Sequence, residues 1–308
     1  MDKRQQRIGY IQIFITGCLW GTIGLFVTIM TGMGADGSLI SLLRIGSALI
    51  MMFFLVLTKS GGIPALRVDR KTIALTMVMG ILGQAVFNLC YAKAIQIAGV
   101  ATGAVLLYTA PIFVFLIATL FFRERPTIQK LVALAANIAG CVLTVTGGNF
   151  ATLSFAAAGV IMGVLAGFFY ALSTVFSKLA ANRAHPYVLT FYTFLFATLF
   201  LFAIQLRQGF QTPAISPKLL LMGAAFGLVS TVLAYAFYMN GLAKPVETSK
   251  VPIIASVETV VATLLGTLLF HEDIGLWKLI GIGLVLASIA IMNLSVRDES
   301  PISDTTDG

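Results

Sequence analysis

The run Pro111-Ile-Phe-Val-Phe-Leu-Ile-Ala-Thr-Leu-Phe-Phe-Arg-Glu124 has a second copy in the same chain, Thr259-Val-Val-Ala-Thr-Leu-Leu-Gly-Thr-Leu-Leu-Phe-His-Glu272. Each copy is an apolar stretch closed by an acid, and each reaches a lysine six residues later, at Lys130 and Lys278. Upstream, Gly80 and Tyr91 match Gly227 and Tyr238, and Gly17-Cys-Leu-Trp-Gly21 matches Gly163-Val-Leu-Ala-Gly167. The offset drifts only from 146 to 148 along the chain, as short loop insertions allow. A duplication of this extent in a very apolar chain predicts two related halves, the plan of many secondary transporters.

Composition agrees. Soluble domains carry about 25 % charged residues. This chain of 308 residues has 10 %, with 58 % hydrophobic residues and a mean hydropathy of +0.98. Too little polar material remains to coat a water-soluble globule, so lipid is the expected solvent. The net charge of +8 is scattered over short loops rather than gathered in a patch, which argues against a nucleic-acid partner. Cys18, Cys90 and Cys141 all lie in apolar runs and read as small hydrophobes, with no disulfide framework or metal spacing.

A helix of about twenty apolar residues crosses the hydrocarbon layer. Ten such stretches are predicted, at 8–30, 38–57, 72–93, 99–121, 127–146, 153–178, 187–206, 218–240, 247–270 and 275–295. The first is read as a retained helix, not a cleaved signal, because it is long enough to span and no small-residue cleavage site follows it. The fold class expected is therefore all-α and integral to the membrane, with ten transmembrane helices as two five-helix repeats. These fall at residues 1–148 and 149–296, followed by a disordered cytoplasmic tail over 297–308. Five is odd, so the second repeat enters from the other side and the halves are inverted. With the N-terminus in the cytoplasm, 15 of the 20 basic residues lie in cytoplasmic segments and four on the opposite side, with Arg44 inside a span. That bias places both termini in the cytoplasm.

Few polar groups are left for chemistry. Glu258 is the one acid inside a span, where an ionised carboxylate costs several kcal/mol unless it is paired, protonated or faces a wet cavity. It is either a proton or amine site, or a hydrogen-bonded packing element. Arg44 reads as the sole buried base, two turns into the second span. It either snorkels outward or anchors a substrate carboxylate through its guanidinium fork. Trp20, Gln84, Asn88, Tyr91, Tyr170, Tyr235, Tyr238 and Asn240 are candidates to line the same cavity. Gln84, Asn88 and Tyr91 share one helical face, as do Tyr235 and Tyr238. Such faces also serve to bond neighbouring helices. Pro111 and Pro252 break the fourth and ninth spans, as hinges or as kinks, and Pro111 is expected to leave the carbonyl of Leu107 without its helical partner. Gly17 and Gly21, and Gly159, Gly163 and Gly167, form small-residue faces for close packing or sliding. No phosphate-binding loop, metalloprotease motif or aspartate within a span is present, so the chain reads as no enzyme, with no cofactor and no metal.

Taken together, these marks resemble the EamA-type branch of the drug/metabolite transporter superfamily. They are the twin Phe-x-Glu endings at Glu124 and Glu272, Leu-Trp-Gly at 19–21, Leu-Leu-Arg44, Ala110-Pro111 and Ser256-Val-Glu258. The likeness covers roughly 10–147 and 155–294. Members often carry proline directly after the ninth-span glutamate, where this chain has Thr259. The resemblance implies secondary transport of small metabolites, and the expectation is a secondary transporter of the bacterial-type inner membrane, as monomer or homodimer. It would move small metabolites such as amino acids, amines or carboxylates outward, with protons as the candidate coupling ion. A channel-like permease, or a translocator of nucleotide sugars or lipid-linked sugars from the same superfamily, is the alternative.

Overall fold

The computed structural model describes residues 3–154, 156–208, 216–270 and 274–293. Glu272 of the second motif copy, its neighbours His271 and Asp273, and the tail from 297 lie outside the described residues. Among those described, nine helices are long and apolar enough to cross a membrane. They are α1 (Lys3–Gly32), α2 (Gly37–Lys59), α3 (Arg70–Ala98), α4 (Thr102–Phe121), α5 (Ile128–Thr146), α6 (Ala157–Ala180), α7 (Pro186–Arg207), α8 (Pro217–Leu242) and α9 (Thr248–Leu269). A shorter apolar helix, α10 (Leu276–Met292), follows. The described chain is helical, without strands.

Helix pairing carries the imprint of the duplication. The helices pack as α1 on α8, α3 on α6, α2 on α7, α5 on α10, α3 on α7, α2 on α8, α4 on α6 and α1 on α9. Exchanging each helix for its counterpart five places along returns the same set of pairs. Two related halves facing each other across a two-fold axis produce this pattern. Loops that the charge rule assigns to one face also meet there. Arg183 pairs with Asp69 at 3.7 Å, Ser60 bonds His185 at 2.9 Å, and Lys130 bridges to Glu247 at 2.5 Å. At the other face Ser38 donates to Gln205 at 2.7 Å.

The glycine faces set the approach distances. A side chain at Gly17 would strike the backbone of Ala255, and one at Gly21 would strike Val261 and the carbonyl of Glu258, so α1 lies directly on the middle of α9. In the other half, Gly163 and Gly167 of α6 leave no room against Leu106 and Thr109 of α4. Missing Cβ atoms let these backbones come close and gain dispersion contacts that lipid cannot supply.

Both glycine faces press on a break. α4 is interrupted at Tyr108 and Thr109, and α9 at Ser256. Pro111 sits in the first turn of the segment Ala110–Phe121, and Pro252 in the first turn of Val251–Ala255. A proline there removes a donor that has no helical partner in any case. Thr109 satisfies the preceding turn by donating its backbone N–H and its hydroxyl to the carbonyl of Leu106, at 3.1 and 2.7 Å. A second matched irregularity lies in α3 and α8. Each holds a stretch of π-helix, Ile81–Val86 and Leu228–Leu233, again 147 residues apart. Such wide turns recur at functional positions in helices.

Candidate functional site

The two breaks face each other. Tyr108 of α4 and Thr259 of α9 share a hydrogen bond of 2.7 Å between their hydroxyls. Around them runs a narrow crevice walled by Leu107, Tyr108, Ala110 and Pro111 from α4, Tyr170 from α6, and Pro252, Ser256 and Glu258 from α9. Glu258 is partly exposed within it. No hydrogen bond or ion pair holds its carboxylate among the described residues. The α9 break is braced from behind by Asn137 of α5, fully enclosed, whose amide donates to Ser256 at 2.5 Å and to Ser288 of α10 at 3.1 Å.

Next to the crevice stands a cluster of rings. Trp20 of α1 packs against Tyr170, Tyr235 and Tyr238 at centroid distances of 6.3, 5.8 and 5.2 Å. Tyr238 is fixed by donating its hydroxyl to Thr174, 3.1 Å away. Tyr91 stacks on Phe87, which itself meets Tyr170 edge-on. Burying these rings between the halves gives the interior rigid walls with polar tips.

Beyond the rings, Arg44 of α2 is 9 % exposed. Its guanidinium lies over Phe226 of α8, 5.2 Å from the ring centroid, and Nη2 donates to Asn88 Oδ1 at 3.3 Å. The Asn88 amide is oriented by donating to the carbonyl of Gln84 at 2.5 Å, and Gln84 in turn donates to the hydroxyl of Tyr235. The side chains of Arg44, Asn88, Gln84, Tyr235, Tyr238, Trp20 and Tyr170 thus form one continuous wall, with Glu258 at its other end. Arg44 and Glu258 do not pair. Asn240 does not join the wall through a side-chain bond, because its amide donates to Ala236 one turn earlier on its own helix, at 2.7 Å.

Sequence reasoning missed a second polar assembly, at the face where the N-terminus lies. It counted Lys130 among the basic residues of the cytoplasmic segments and Arg44 as the sole buried base, but Lys130 is 5 % exposed and more enclosed than Arg44. Lys130 bridges Glu247 at 2.5 Å and Glu124 at 3.5 Å, and Lys250 adds a 2.7 Å contact to Glu247. Glu124 also accepts from the backbone N–H groups of Thr248 and Ser249, at 2.5 and 3.2 Å, and from the Ser249 hydroxyl. The first copy of the acid motif therefore caps the start of α9, where four backbone donors lack helical partners. Tyr10 of α1 closes the assembly, accepting from Glu247 N at 3.3 Å and lying under Lys250. The only sequence signal for it was the acid at the end of the duplicated run. Among the described residues no group of three His, Cys, Asp or Glu could hold a metal ion.

Comparison with known proteins places this geometry. The model of the EamA-like transporter family matches residues 7–146 and again 157–294. An uncharacterized transporter of Archaeoglobus fulgidus is 30 % identical over 300 residues, covering 94 % of this chain and 97 % of that protein. The uncharacterized inner membrane transporter YicL of Salmonella typhimurium is 24 % identical, with 94 % and 97 % covered. One crystal structure shares the fold with a TM-score of 0.79 at 18 % identity, over 92 % of this chain and 96 % of that one. With a whole-chain family match and a full-length relative at this identity, the chain belongs to the EamA-like transporter family and is a multi-span membrane transporter.

Proposed function

We propose that the protein is a secondary transporter that exports small metabolites such as amino acids, amines or carboxylates across the inner membrane. Its two halves, residues 1–148 and 149–296, would alternate the exposure of a midplane site. The observation that carries this reading is the crevice at the paired breaks of α4 and α9, with the unpartnered Glu258 in its wall. Unwound backbone inside a bundle is tolerated where it lines a cavity, and broken helices at a repeat interface are where such carriers bind cargo. An acid in a partly dry site serves as a proton acceptor or as a contact for an ammonium group. The assembly around Glu124 and Lys130 closes the face that the positive-inside rule assigns to the cytoplasm, and opening it would release α9 toward that side.

The test is counterflow in liposomes with a labelled panel of amino acids, amines and carboxylates, comparing wild type with Glu258→Gln. At least one labelled compound should exchange, and the variant should lose about ten-fold or more of the flux. Undiminished flux in the variant removes the role of Glu258. Flux indifferent to an imposed pH gradient favours a channel-like permease instead.

A further inference from the structure

We infer that the enclosed guanidinium of Arg44, packed between Asn88 of α3 and Phe226 of α8, is a contact for an organic carboxylate group of the cargo. This deepens the transporter reading and rests on it. The first ground is charge. Among the described residues no carboxylate pairs with Arg44. Asp36, the nearest acid along α2, is committed to the Leu39 N–H and the Ser38 hydroxyl, each at 2.9 Å. Desolvating a guanidinium costs several kcal/mol unless an anion and further hydrogen bonds offset it. The fold supplies a ring and one neutral amide and no anion of its own, which leaves the charge for a ligand to balance.

The second ground is donor geometry. Arg44 Nε is buried with no acceptor, while Nη2 is tied to Asn88. Asn88 is oriented by the bond of its Nδ2 to the Gln84 carbonyl. Gln84 gives its own N–H to Tyr235. The Tyr235 oxygen is therefore the acceptor of that bond, and its hydrogen is left to donate elsewhere. Tyr235 lies within electrostatic reach of Arg44. A guanidinium N–H and a phenol O–H, each without an acceptor of its own, are the kind of donors that the two oxygens of a carboxylate take. The Phe226 ring behind the guanidinium fixes its plane, and Trp20 against Tyr235 offers an apolar wall for the rest of the molecule.

The test uses three probes of one shape and different charge: phenylacetate, phenylacetamide and phenethylamine. Binding is read from Trp20 fluorescence in detergent-purified Trp277→Phe protein, with chloride titrated separately. Phenylacetate should bind about ten-fold or more tighter than phenylacetamide. Arg44→Gln should bring the two level and leave phenethylamine unchanged. Should Arg44→Gln not fold, Tyr235→Phe must still cut the preference several-fold. Equal binding of acid and amide to wild type, a preference that survives Arg44→Gln or Tyr235→Phe, or a site saturated by chloride alone would overturn the inference. Binding is read without a gradient, so the two readings fail separately. Liposomal flux without anion preference sinks only this contact, and anion preference without flux sinks the transporter.

Discussion

Buried charge is treated in opposite ways at the two levels of this molecule. At the N-terminal face, Lys130 has carboxylates on two sides, and Glu124 takes three further hydrogen bonds from the start of α9. In the interior, Arg44 and Glu258 each stand without an ion pair, separated by rings. Removing an ion from water costs several kcal/mol, and only good partners offset that. The Lys130 assembly recovers the cost within the fold. Arg44 and Glu258 do not, so the fold gains nothing from their charge. That lack of compensation supports the proposal that Arg44 and Glu258 serve a ligand.

The largest effect expected from this contrast is a difference of sign. Lys130→Met leaves Glu124 without a cation and Glu247 with Lys250 alone, in a partly dry site. Breaking such a pair from one side costs about 3–5 kcal/mol, and the lower end applies because the Glu247 side chain is 31 % exposed. Arg44→Gln removes an ion that has no counter-charge, so the unfolding midpoint in detergent should stay level or rise. Thermal unfolding of both variants decides it. Equal losses would mean that Arg44 is paired after all, and the distinction between the two levels would vanish.

A smaller effect separates the glycines that set the site from those that do not. A Cβ at Gly167 would collide with Thr109 and come within 3.2 Å of the Leu106 carbonyl, at the α4 break itself. Gly167→Ala should therefore destabilise by about 1–3 kcal/mol and lower transport with it. Gly24, in the outer segment of α1, has nothing within 4 Å of a Cβ. Gly24→Ala there should be neutral, or stabilising by up to about 1 kcal/mol through helix propensity. Matching losses at the two positions would show that α6 does not bear closely on the break.

Much of this was legible in the sequence, and the limits have physical causes. Hydropathy located the spans because lipid demands about twenty apolar residues of each, and the prolines marked both broken helices. The recurrence of glycine at every fourth position showed which faces would be in contact. The π-helical turns at 81–86 and 228–233 left no signal, since Gly-Gln-Ala and Ser-Thr-Val fit an ordinary helix equally well. Lys130 was misread because a lysine near a span end looks the same whether it meets water or two carboxylates. Which acid would face which base depends on segments more than a hundred residues apart. For the same reason the sequence named Arg44 and Glu258 but could not say that they stay apart.

The smallest expected effect is a pH dependence arising at the compensated level. Burial pushes the Glu247 carboxyl upward, but hydrogen bonds from Lys130 and Lys250 outweigh it and hold the group below its ordinary 4.5. A carboxyl lowered in the folded state adds stability that is fully present above its ordinary value. That contribution is lost as pH falls through the lowered one, because protonation then takes the charge from both lysine contacts. Acidifying purified protein from about pH 6 to below 4.5 should therefore lower the unfolding midpoint of wild type more than that of Glu247→Gln. The variant isolates this carboxyl from every other acid that titrates in the window. If both lose the same amount, the pairs at Lys130 contribute nothing that protons can remove, and Lys130 is held by enclosure instead of by charge.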